Sequence, residues 1–391
     1  MFHYLSRASL LPIQKHCSYF SFKSLLTQIP TNPLRSNRPT YLSPSLAMEA
    51  LFQEAVEQNE MTKKTESSVP WKLDQPHAQP FYRYDGAKQA WGPAQCKPLQ
   101  EANGPQGITR LALFSWNIDF MLPLAKPRMD AALEHLNGLV SKLGPETAVV
   151  IYLQECLEKD DPPPAVHDLA TIGEKAWVRN KFNVTDVDQS NWGNRYGTTT
   201  LVDRRLDITS CFRVHYKKSN FQRDAFFVDV VLNNSQGQRK TVRLCNTHLE
   251  SLAGNPPLRP AQMQIAATYM REDGIDGALA AGDFNAIQPF DKTLHSDNGL
   301  RDAYLELGGQ EDSEDGYTWG QQAATTLRDR FGCSRMDKVY FTGSLKLEGF
   351  ERFGADVELS DEADRARIIV LGFEKPWITD HLGVTATVEV V

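Results

Sequence analysis

The sequence predicts an α/β fold in which β-sheets pack on one another and helices lie outside them. Eight apolar runs have the length and the residue types of buried strands, whereas only three segments predict helices. No internal repeat of the kind that marks a solenoid is seen. With 391 residues, of which 41% are hydrophobic and 23% charged, the chain is long enough for one large domain or two medium ones.

Residues 1–45 have the composition of a mitochondrial transit peptide. The segment is rich in Ser, lacks Asp and Glu, and has no compact apolar stretch like that of a secretory signal. Its basic residues are Arg7, Lys15, Lys23, Arg35 and Arg38. We therefore expect a mitochondrial location, with a nuclear one as the alternative. A disordered basic tail, or an extension upstream of a start at Met48, would have the same composition.

Residues 46–107 separate this leader from the compact domain. Residues 48–66 predict one short amphipathic helix with Leu51 and Ala55 on one face. Residues 67–107 are rich in Pro, Gly and Gln and include a cluster of aromatic residues. The cluster consists of Trp71, Phe81, Tyr82, Tyr84 and Trp91. We expect an arm that lies over the core, and the alternative is a set of rings that stack on a ligand.

We expect the compact domain to begin at residue 108 and to run to residue 391. The apolar runs that predict its strands cover residues 109–117, 147–155, 196–203, 225–232, 241–249, 277–284, 336–342 and 383–391. Apolar residues at helical spacing predict a helix at 128–143, and a second helix is expected at 260–272, after the Arg-Pro pair at 259–260. The NNSQGQ stretch at 233–238 is typical of a hairpin turn.

The net charge limits the kind of nucleic-acid contact that is expected, and the cysteines limit the kind of metal site and compartment. The formal net charge is −7, whereas a protein that grips long duplex DNA through many phosphates usually carries a basic excess, so any nucleic-acid contact should be short and local. The six cysteines show no CxxC spacing, which argues against a zinc site or a disulfide framework and fits a reducing compartment. No apolar run reaches the roughly 18 to 20 residues of a membrane span, and we expect no stable membrane association.

Four short polar clusters mark where chemistry is expected. They are SWN at 115–117, LQE at 153–155, GDFN at 282–285 and TDH at 379–381. The first three end a predicted strand and the fourth precedes the last strand. Strand ends and the adjoining loops are where a rigid scaffold commonly presents catalytic groups, so the four clusters together predict a functional site.

The residue types in these clusters suit phosphate and metal chemistry. Glu155 taken alone would be a solvated surface residue. Asp283 and Asn285 share a direction if their strand continues, and they then offer a carboxylate for a metal or a proton and an amide to orient water or phosphate. Asp380 and His381 join a carboxylate to an imidazole, for which an Asx-type turn is the alternative. His248, in CNTHLES, can stabilise phosphate oxygens or transfer a proton.

The order SWN, LQE, THLES, GDFN, MDKVYF and TDH resembles the endonuclease/exonuclease/phosphatase superfamily of Mg²⁺-dependent phosphoesterases, over residues 109–391. SWNID, THLES, YTW at 317–319 and RMDKVYF most resemble its 5′-tyrosyl-DNA phosphodiesterase branch. The resemblance implies a four-layered α/β sandwich with two central mixed β-sheets, as in deoxyribonuclease-like proteins, and an active site at one rim of the sheets.

The resemblance also implies roles for residues near the metal and the attacking water. Glu155 and Asp380 would be metal ligands, and Asn117 would belong to the network on the metal side. Asp283 and Asn285 would position and activate the water. These assignments agree with the preference of Mg²⁺ for one or two carboxylates and several retained waters.

The remaining roles concern the phosphate and the nucleotide. His381, supported by Asp337, would hold the oxygens of the scissile phosphate, and His248 would contact the phosphate from the other side. Ser251 and Trp319 would bind substrate, with Trp319 as the aromatic wall on which the terminal nucleotide stacks. The alternative for Trp319 is a core tryptophan.

The implied reaction is hydrolysis of 5′-phosphotyrosyl-DNA adducts to leave 5′-phosphate ends, as a step of DNA repair. The implied cofactor is Mg²⁺, for which Mn²⁺ can substitute, and the implied partner is a single-stranded DNA 5′ end that carries a tyrosyl or peptide adduct. We expect a monomer. A phosphodiester anion repels hydroxide, so such a site needs a cation and fixed hydrogen-bond donors.

Other functions share the same core residues. The enzyme alternatives are an abasic-site nuclease, an RNA deadenylase, or a phosphatase of nucleotides, inositol phosphates or lipids. The net charge of −7 disfavours a nuclease that grips duplex DNA. A binding module without catalysis is a further alternative, and the joint presence of the site residues disfavours it.

One position departs from the pattern of the tyrosyl-DNA branch. The branch typically has an arginine two residues after the asparagine of its GD-x-N motif, and this chain has Ile287 there. The departure concerns the preference for substrate rather than the core of the site. An arginine elsewhere could compensate, and Arg195 and Arg328 are the candidates. The segment at 344–376, with its acidic ELSDEADRAR stretch, corresponds to no family role.

Overall fold

The computed structural model describes residues 43–161, 163–254 and 256–391. The predicted leader at 1–45 lies outside these residues apart from its last three positions, and its targeting role stays a prediction. In the described residues no helix combines the length and the apolar character that crossing a membrane requires.

The described residues form sixteen strands and nine α-helices. The strands are β1 (Pro76–Ala78), β2 (Phe81–Asp85), β3 (Ala90–Ala94), β4 (Arg110–Asn117), β5 (Thr147–Lys159), β6 (Val166–His167), β7 (Phe182–Val184), β8 (Tyr196–Asp203), β9 (Asp207–His215), β10 (Asp224–Asn233), β11 (Arg239–Thr247), β12 (Gly277–Asp283), β13 (Arg301–Asp302), β14 (Asp337–Gly343), β15 (Leu345–Phe353) and β16 (Gly383–Val390). The helices are α1 (Pro44–Thr62), α2 (Ala125–Val140), α3 (Asp168–Glu174), α4 (Ala176–Lys181), α5 (Arg259–Met270), α6 (Leu294–Asp297), α7 (Ala303–Glu306), α8 (Thr325–Phe331) and α9 (Glu362–Val370).

The strands assemble into two mixed sheets. The seven-stranded sheet has the order β1-β9-β10-β11-β12-β14-β13, and the nine-stranded sheet has the order β15-β16-β4-β5-β8-β7-β2-β3, with β6 added to β5. Each sheet contains one parallel pair, β11 with β12 and β4 with β5. A parallel pair needs a crossover connection, and α5 and α2 supply these crossovers. In each sheet the two parallel strands therefore run toward the same edge.

Three apolar clusters divide the domain into four layers. The central cluster packs the sheets on each other through Leu111 and Leu113 of β4 and Phe226 of β10. Helix α2 covers the nine-stranded sheet, and α5, through Met263, covers the seven-stranded sheet. Alternate residues of β4 face opposite sides, because Phe114 packs in the α2 cluster while Leu113 packs between the sheets. The predicted four-layered sandwich with two central mixed sheets is confirmed.

All eight predicted strands and the three predicted helices are present. Their ends shift by a few residues, and the largest differences are α1, which spans Pro44–Thr62 rather than residues 48–66, and β5, which continues to Lys159. The long strands that the sequence did not reveal are β9 and β15. In β15 only the first and last residues are buried, so no continuous apolar run marked it.

The arm at 67–107 contributes edge strands to both sheets. Strand β1 pairs with β9, and the β2–β3 hairpin joins the nine-stranded sheet next to β7. Trp71 is buried, and its ring stacks on that of His215 with centroids 4.0 Å apart. Phe81 lies in the central cluster between the sheets. The arm thus covers the core as expected, and it does so by strand pairing as well as by packing.

Candidate active site

The polar clusters meet at one rim, where the end of β4 faces the ends of β11 and β12. Strand β4 ends at Asn117 and β12 ends at Asp283, and the Asn117 amide donates to Asp283 Oδ2 at 3.0 Å although the residues belong to different sheets. Gly282 permits the close approach of β12 to β11, because a Cβ there would lie 1.7 Å from the carbonyl oxygen of Thr247. The structure brings these two predicted residues together.

Glu155 reaches the rim through a β-bulge. The register between β5 and β8 shifts between Leu153 and Cys156, and Glu155 has a φ of 61°. Its Oε2 accepts the N–H of Phe120 at 3.0 Å. The expectation that Glu155 ends its strand is wrong, because β5 continues for four more residues, and the bulge rather than a strand end presents the carboxylate.

The loop that carries Asp380 and His381 is fastened to the end of β4. Thr379 Oγ1 donates to the carbonyl oxygen of Asn117 at 2.9 Å, and the indole N–H of Trp116 donates to the carbonyl oxygen of His381 at 3.0 Å. This loop precedes β16, as the sequence predicted. The loop therefore holds a carboxylate and an imidazole next to the Asn117–Asp283 pair.

His381 is held as a cation that faces Asp283. Its Nδ1 donates to Asp337 Oδ2 at 2.8 Å, and its Nε2 lies 3.8 Å from Asp283 Oδ2. Burial acts to lower the pKa of His381, but the carboxylates of Asp337, Asp283 and Asp380 raise it well above 6.5. Burial raises the pKa of Asp337 to about 6 against the opposing effect of His381. At neutral pH the two residues form an ion pair with an N–H group toward the site.

His248 faces Asp283 from the opposite side as a neutral N–H donor. Its Nδ1 accepts from Arg223 Nη1 at 2.7 Å, because a guanidinium has no acceptor. The proton therefore lies on Nε2, which is 3.3 Å from Asp283 Oδ2. Burial and Arg223 lower the pKa of His248. Arg223 also donates to Ser251 Oγ at 2.6 Å and lies over the ring of Tyr196 at 5.4 Å.

Asp283 is the central carboxylate of the site. Burial acts to raise its pKa, but His381, His248 and the backbone N–H of Asn285 outweigh burial and lower it. Asn285 does not continue the strand: β12 ends at Asp283, and Asn285 has a φ of 48°. Its backbone N–H donates to Asp283 Oδ1 at 2.8 Å and its amide donates to the carbonyl oxygen of Leu249 at 3.1 Å. The loop, rather than strand periodicity, places Asn285 beside Asp283.

Trp319 and Asp380 form the rim on the His381 side. The Trp319 indole N–H donates to Asp380 Oδ2 at 2.7 Å, and the Trp319 side chain is half-buried rather than part of a core cluster. Phe331 lies beside it, with ring centroids 6.4 Å apart and 60% of Phe331 exposed. The alternative of a core tryptophan is therefore wrong, and aromatic surface is present at this rim.

Two site residues, Asp119 and Arg128, were not anticipated as functional. Asp119 is buried, and burial together with Asp380 and Glu155 raises its pKa well above 3.8. Fully buried Arg128 donates to five backbone carbonyl oxygens, those of Ile118, Asp119, Leu122, Pro123 and Ile378. It thereby links the segment after β4 to the segment before Asp380. The SWNID motif already contained Asp119, whereas a basic residue on a helix carried no signal.

The proposed compensating arginines lie elsewhere. Arg195 donates to the side chain of Gln58 in α1, and Arg328 pairs with Glu374. Ile287 exposes 41% of its surface, and its N–H donates to Asp291 Oδ2 at 3.0 Å. Arg223 is the arginine that contacts predicted site residues, so the expectation for Arg195 and Arg328 finds no support in their contacts. Arg223 lies in a polar loop without a motif.

The donor set fits a hard divalent cation. Glu155, His248 and Asp283 offer atoms within 4.8 Å of one another, as do Asp283, Asp337 and His381. Both histidines turn an N–H toward the site, which leaves the carboxylates as ligands. Burial raises the pKa of Asp380 against the opposing effects of His381 and the Trp319 N–H. Glu155 and Asp283 add to the rise, so a cation among these carboxylates would relieve their repulsion. Oxygen ligands of this kind are those that Mg²⁺ prefers.

Comparison with known proteins agrees with this geometry. A family model described as the Endonuclease/Exonuclease/phosphatase family matches residues 114–381. The 5′-tyrosyl-DNA phosphodiesterase of Caenorhabditis elegans is 26% identical over 252 residues, which cover 62% of this chain and 62% of that protein. The match thus spans less than two thirds of this relative.

Solved structures share the fold. The crystal structure of truncated C. elegans TDP2 has a TM-score of 0.52 and 23% identity, and the match covers 72% of this chain and 98% of that one. The crystal structure of D. rerio TDP2 complexed with single strand DNA product has a TM-score of 0.52 and 16% identity, with 72% and 99% covered. At these identities the likeness concerns the fold alone.

Proposed function

The chain belongs to the endonuclease/exonuclease/phosphatase family and is thus a hydrolase of phosphoester bonds, and we propose that it is a Mg²⁺-dependent phosphodiesterase that removes tyrosyl adducts from single-stranded DNA 5′ ends. One observation carries the proposal. Ionised Asp283 lies between two histidines that both present N–H groups, at 3.3 Å from His248 and 3.8 Å from His381, next to a group of buried carboxylates. The relative's name supplies the class of adduct, and we propose a mitochondrial site of action from the composition of residues 1–45.

Different side chains of the site have different roles in the proposed hydrolysis. Asp283 accepts a hydrogen bond from the attacking water, and the loop of Asn285 fixes the position of that carboxylate. The N–H groups of His248 and His381 stabilise the phosphoryl oxygens on which charge accumulates. Glu155 and Asp380 would hold the Mg²⁺, which supplies positive charge to the phosphate.

The bond changes are those of a single displacement. The water gives one proton to Asp283 while its oxygen forms the new bond to phosphorus, and the bond from phosphorus to the tyrosine oxygen breaks. The electron pair leaves with the phenolate, whose conjugate acid has a pKa of about 10, so departure requires less protonation than that of an alkoxide. The products are a 5′-phosphate end and tyrosine or a peptide.

The direct test is hydrolysis of a single-stranded oligonucleotide with a 5′-phosphotyrosine. We expect release of tyrosine with Mg²⁺ and none with a chelator. A second candidate is another phosphoester substrate of the same family, favoured by Ile287, which is 41% exposed where the tyrosyl-DNA branch has an arginine. Metal-dependent cleavage of a generic phosphodiester without tyrosine release would support that candidate.

Glu155→Gln is expected to weaken the dependence on Mg²⁺. The substitution keeps the shape of the side chain but removes a charged ligand, so the Mg²⁺ concentration for half-maximal activity should rise about 10- to 100-fold. Activity titrated with Mg²⁺ measures the change. Glu146→Gln, just before the start of the same strand β5 and beside Arg110, is the matched control. An unchanged titration of Glu155→Gln would remove Glu155 from the metal site.

Trp319→Ala is expected to weaken binding of a single-stranded 5′ end by about 1 to 3 kcal/mol, because a base that stacks on the ring loses its platform. Fluorescence anisotropy of a labelled oligonucleotide with Ca²⁺ in place of Mg²⁺ measures the affinity. Trp177→Ala, which removes another half-buried tryptophan that packs on Phe182, is the control for lost stability. Equal affinity losses in the two variants would contradict stacking on Trp319.

A further inference from the structure

A pocket of about 110 Å³ lies beside the active site, between the arm and the connection from β9 to β10. The arm contributes Lys64 and Trp71 to its lining, and the catalytic domain contributes His215, Lys217, Gln222 and Arg223. The arm residues lie outside residues 114–381, which the family model matches. The pocket is thus a site that the arm of this chain adds to the family domain.

Specific contacts hold the arm in this position. The backbone N–H of Lys64 donates to the carbonyl oxygen of Gly193 at 2.8 Å, and its ammonium donates to that of Gln189 at 2.7 Å. The Trp71 ring stacks on His215 at an interplanar angle of 13°. The backbone N–H of Lys217 donates to Asp74 Oδ1 at 2.8 Å. These hydrogen bonds and the stacked rings hold the arm against the rest of the domain at the pocket.

The pocket meets the active site at Arg223, which is linked to Trp319 through a chain of side-chain contacts. Side-chain contacts form a row in which Asp380 touches Trp319, Asp283 lies between the two histidines, and His248 touches Arg223. Arg223 is both the last member of this row and part of the pocket lining. In-line displacement places the tyrosyl leaving group opposite the attacking water, and the nucleotide is a separate substituent of the phosphate. If nucleotides stack on Trp319, the Arg223 end of this row is left for the tyrosyl group. The leaving group therefore faces the pocket.

The chemistry of the pocket suits an oxyanion. Lys64, Lys217 and Arg223 line it against a single carboxylate, Glu66, in a chain whose net charge is −7. Among the described residues, Arg223 Nε is buried and has no hydrogen-bond partner. Buried donors of this kind are costly unless a partner satisfies them.

We propose that this pocket binds a carboxylate of the leaving group, so that the enzyme favours tyrosyl adducts with a negative charge close to the tyrosine. The inference rests on the proposed function and adds the class of peptide that the site accepts. A volume of about 110 Å³ has room for a carboxylate together with waters around it. The carboxylate can belong to a terminal tyrosine or to a neighbouring acidic side chain.

Three oligonucleotides with different 5′ adducts test the proposal. The first carries N-acetyltyrosine with its free carboxylate, the second carries the neutral N-acetyltyrosine amide, and the third carries N-acetyl-tyrosyl-glutamate amide, whose only carboxylate is the side chain. Full-length enzyme with Mg²⁺ should show a kcat/KM about tenfold higher for a carboxylate substrate than for the neutral one. Preference for the first or the third adduct identifies the source of the carboxylate.

Substitutions of two adjacent lysines test whether the carboxylate preference depends on the pocket. Lys217→Glu should abolish the preference, whereas Lys218→Glu, which makes the same charge change at the next exposed residue outside the pocket, should keep it. Lys64→Met removes the arm's own cation and should also lower the preference. Thermal melting confirms that each variant is folded.

The outcomes separate the two proposals. A carboxylate preference that Lys217→Glu abolishes and Lys218→Glu retains supports the pocket. Equal kcat/KM for all three substrates, or equal losses in the two variants, overturns it while the phosphodiesterase assignment stands. No release from any of the three adducts overturns the proposed function, and this inference with it.

Discussion

Asp283→Asn is expected to lower kcat/KM for a 5′-phosphotyrosyl oligonucleotide by about 10³-fold or more. Asp283 accepts from Asn117 and lies between two histidine N–H groups, so its negative charge is both the acceptor for the attacking water and the counter-charge for His381. An amide has the same shape but loses the charge, and its NH₂ group can oppose these donors. Release of tyrosine under single-turnover conditions measures the loss of the chemical step.

The same substitution at the other end of the strand provides the control. Asp276 directly precedes β12, and its Oδ2 accepts from the backbone N–H of Thr241 at 2.8 Å, a contact that an asparagine oxygen can keep. Asp276→Asn should therefore retain turnover. Circular dichroism and thermal melting of both variants exclude unfolding as the cause. If folded Asp283→Asn hydrolyses the adduct within tenfold of the unaltered enzyme, Asp283 does not act on the water.

The fold and most of the site could be predicted because the apolar runs of the strands are followed directly by the polar residues of the site. The strands that carry Asn117 and Asp283 are buried on both faces, so they read as continuous apolar segments followed by a polar cluster. The topology then brings these ends to one rim, because a crossover helix joins the parallel pair in each sheet. Strand ends identified from the sequence were therefore sufficient to locate the rim.

The parts that could not be predicted depend on the backbone or on distant partners. A positive φ at Glu155 bends β5 outward, and no residue type in LQEC indicates a bulge. Arg223 comes from a polar loop and acquires its role only through His248 and Ser251, which are distant in sequence. Arg128 interrupts the apolar face of α2. It donates to the carbonyl oxygens of Ile118 and Ile378, which come together only when the loops are folded. Long-range polar contacts leave no local pattern.

Asp337→Asn is expected to move the alkaline limit of activity to lower pH and to lower kcat/KM at neutral pH by about 10- to 100-fold. Asp337 Oδ2 accepts from His381 Nδ1 at 2.8 Å and is the carboxylate that contributes most to raising the pKa of His381. A histidine with a raised pKa is an imidazolium below that pKa and loses its charge as pH rises through it. Removing Asp337 lowers the pKa of His381, so the imidazolium disappears at a lower pH.

The pH dependence of kcat/KM between pH 6 and 10 measures this shift, because its alkaline limb reports the free enzyme's essential acid. His381→Gln is the companion variant: it should lack the limb that moves in Asp337→Asn and have a low activity with a flatter profile. The pair distinguishes loss of charge from loss of packing, because both residues are buried and a structural defect would lower activity equally at every pH. A limb that stays in place in Asp337→Asn would mean that another group is the essential acid, and the role of His381 as a charged donor to the phosphate would be wrong.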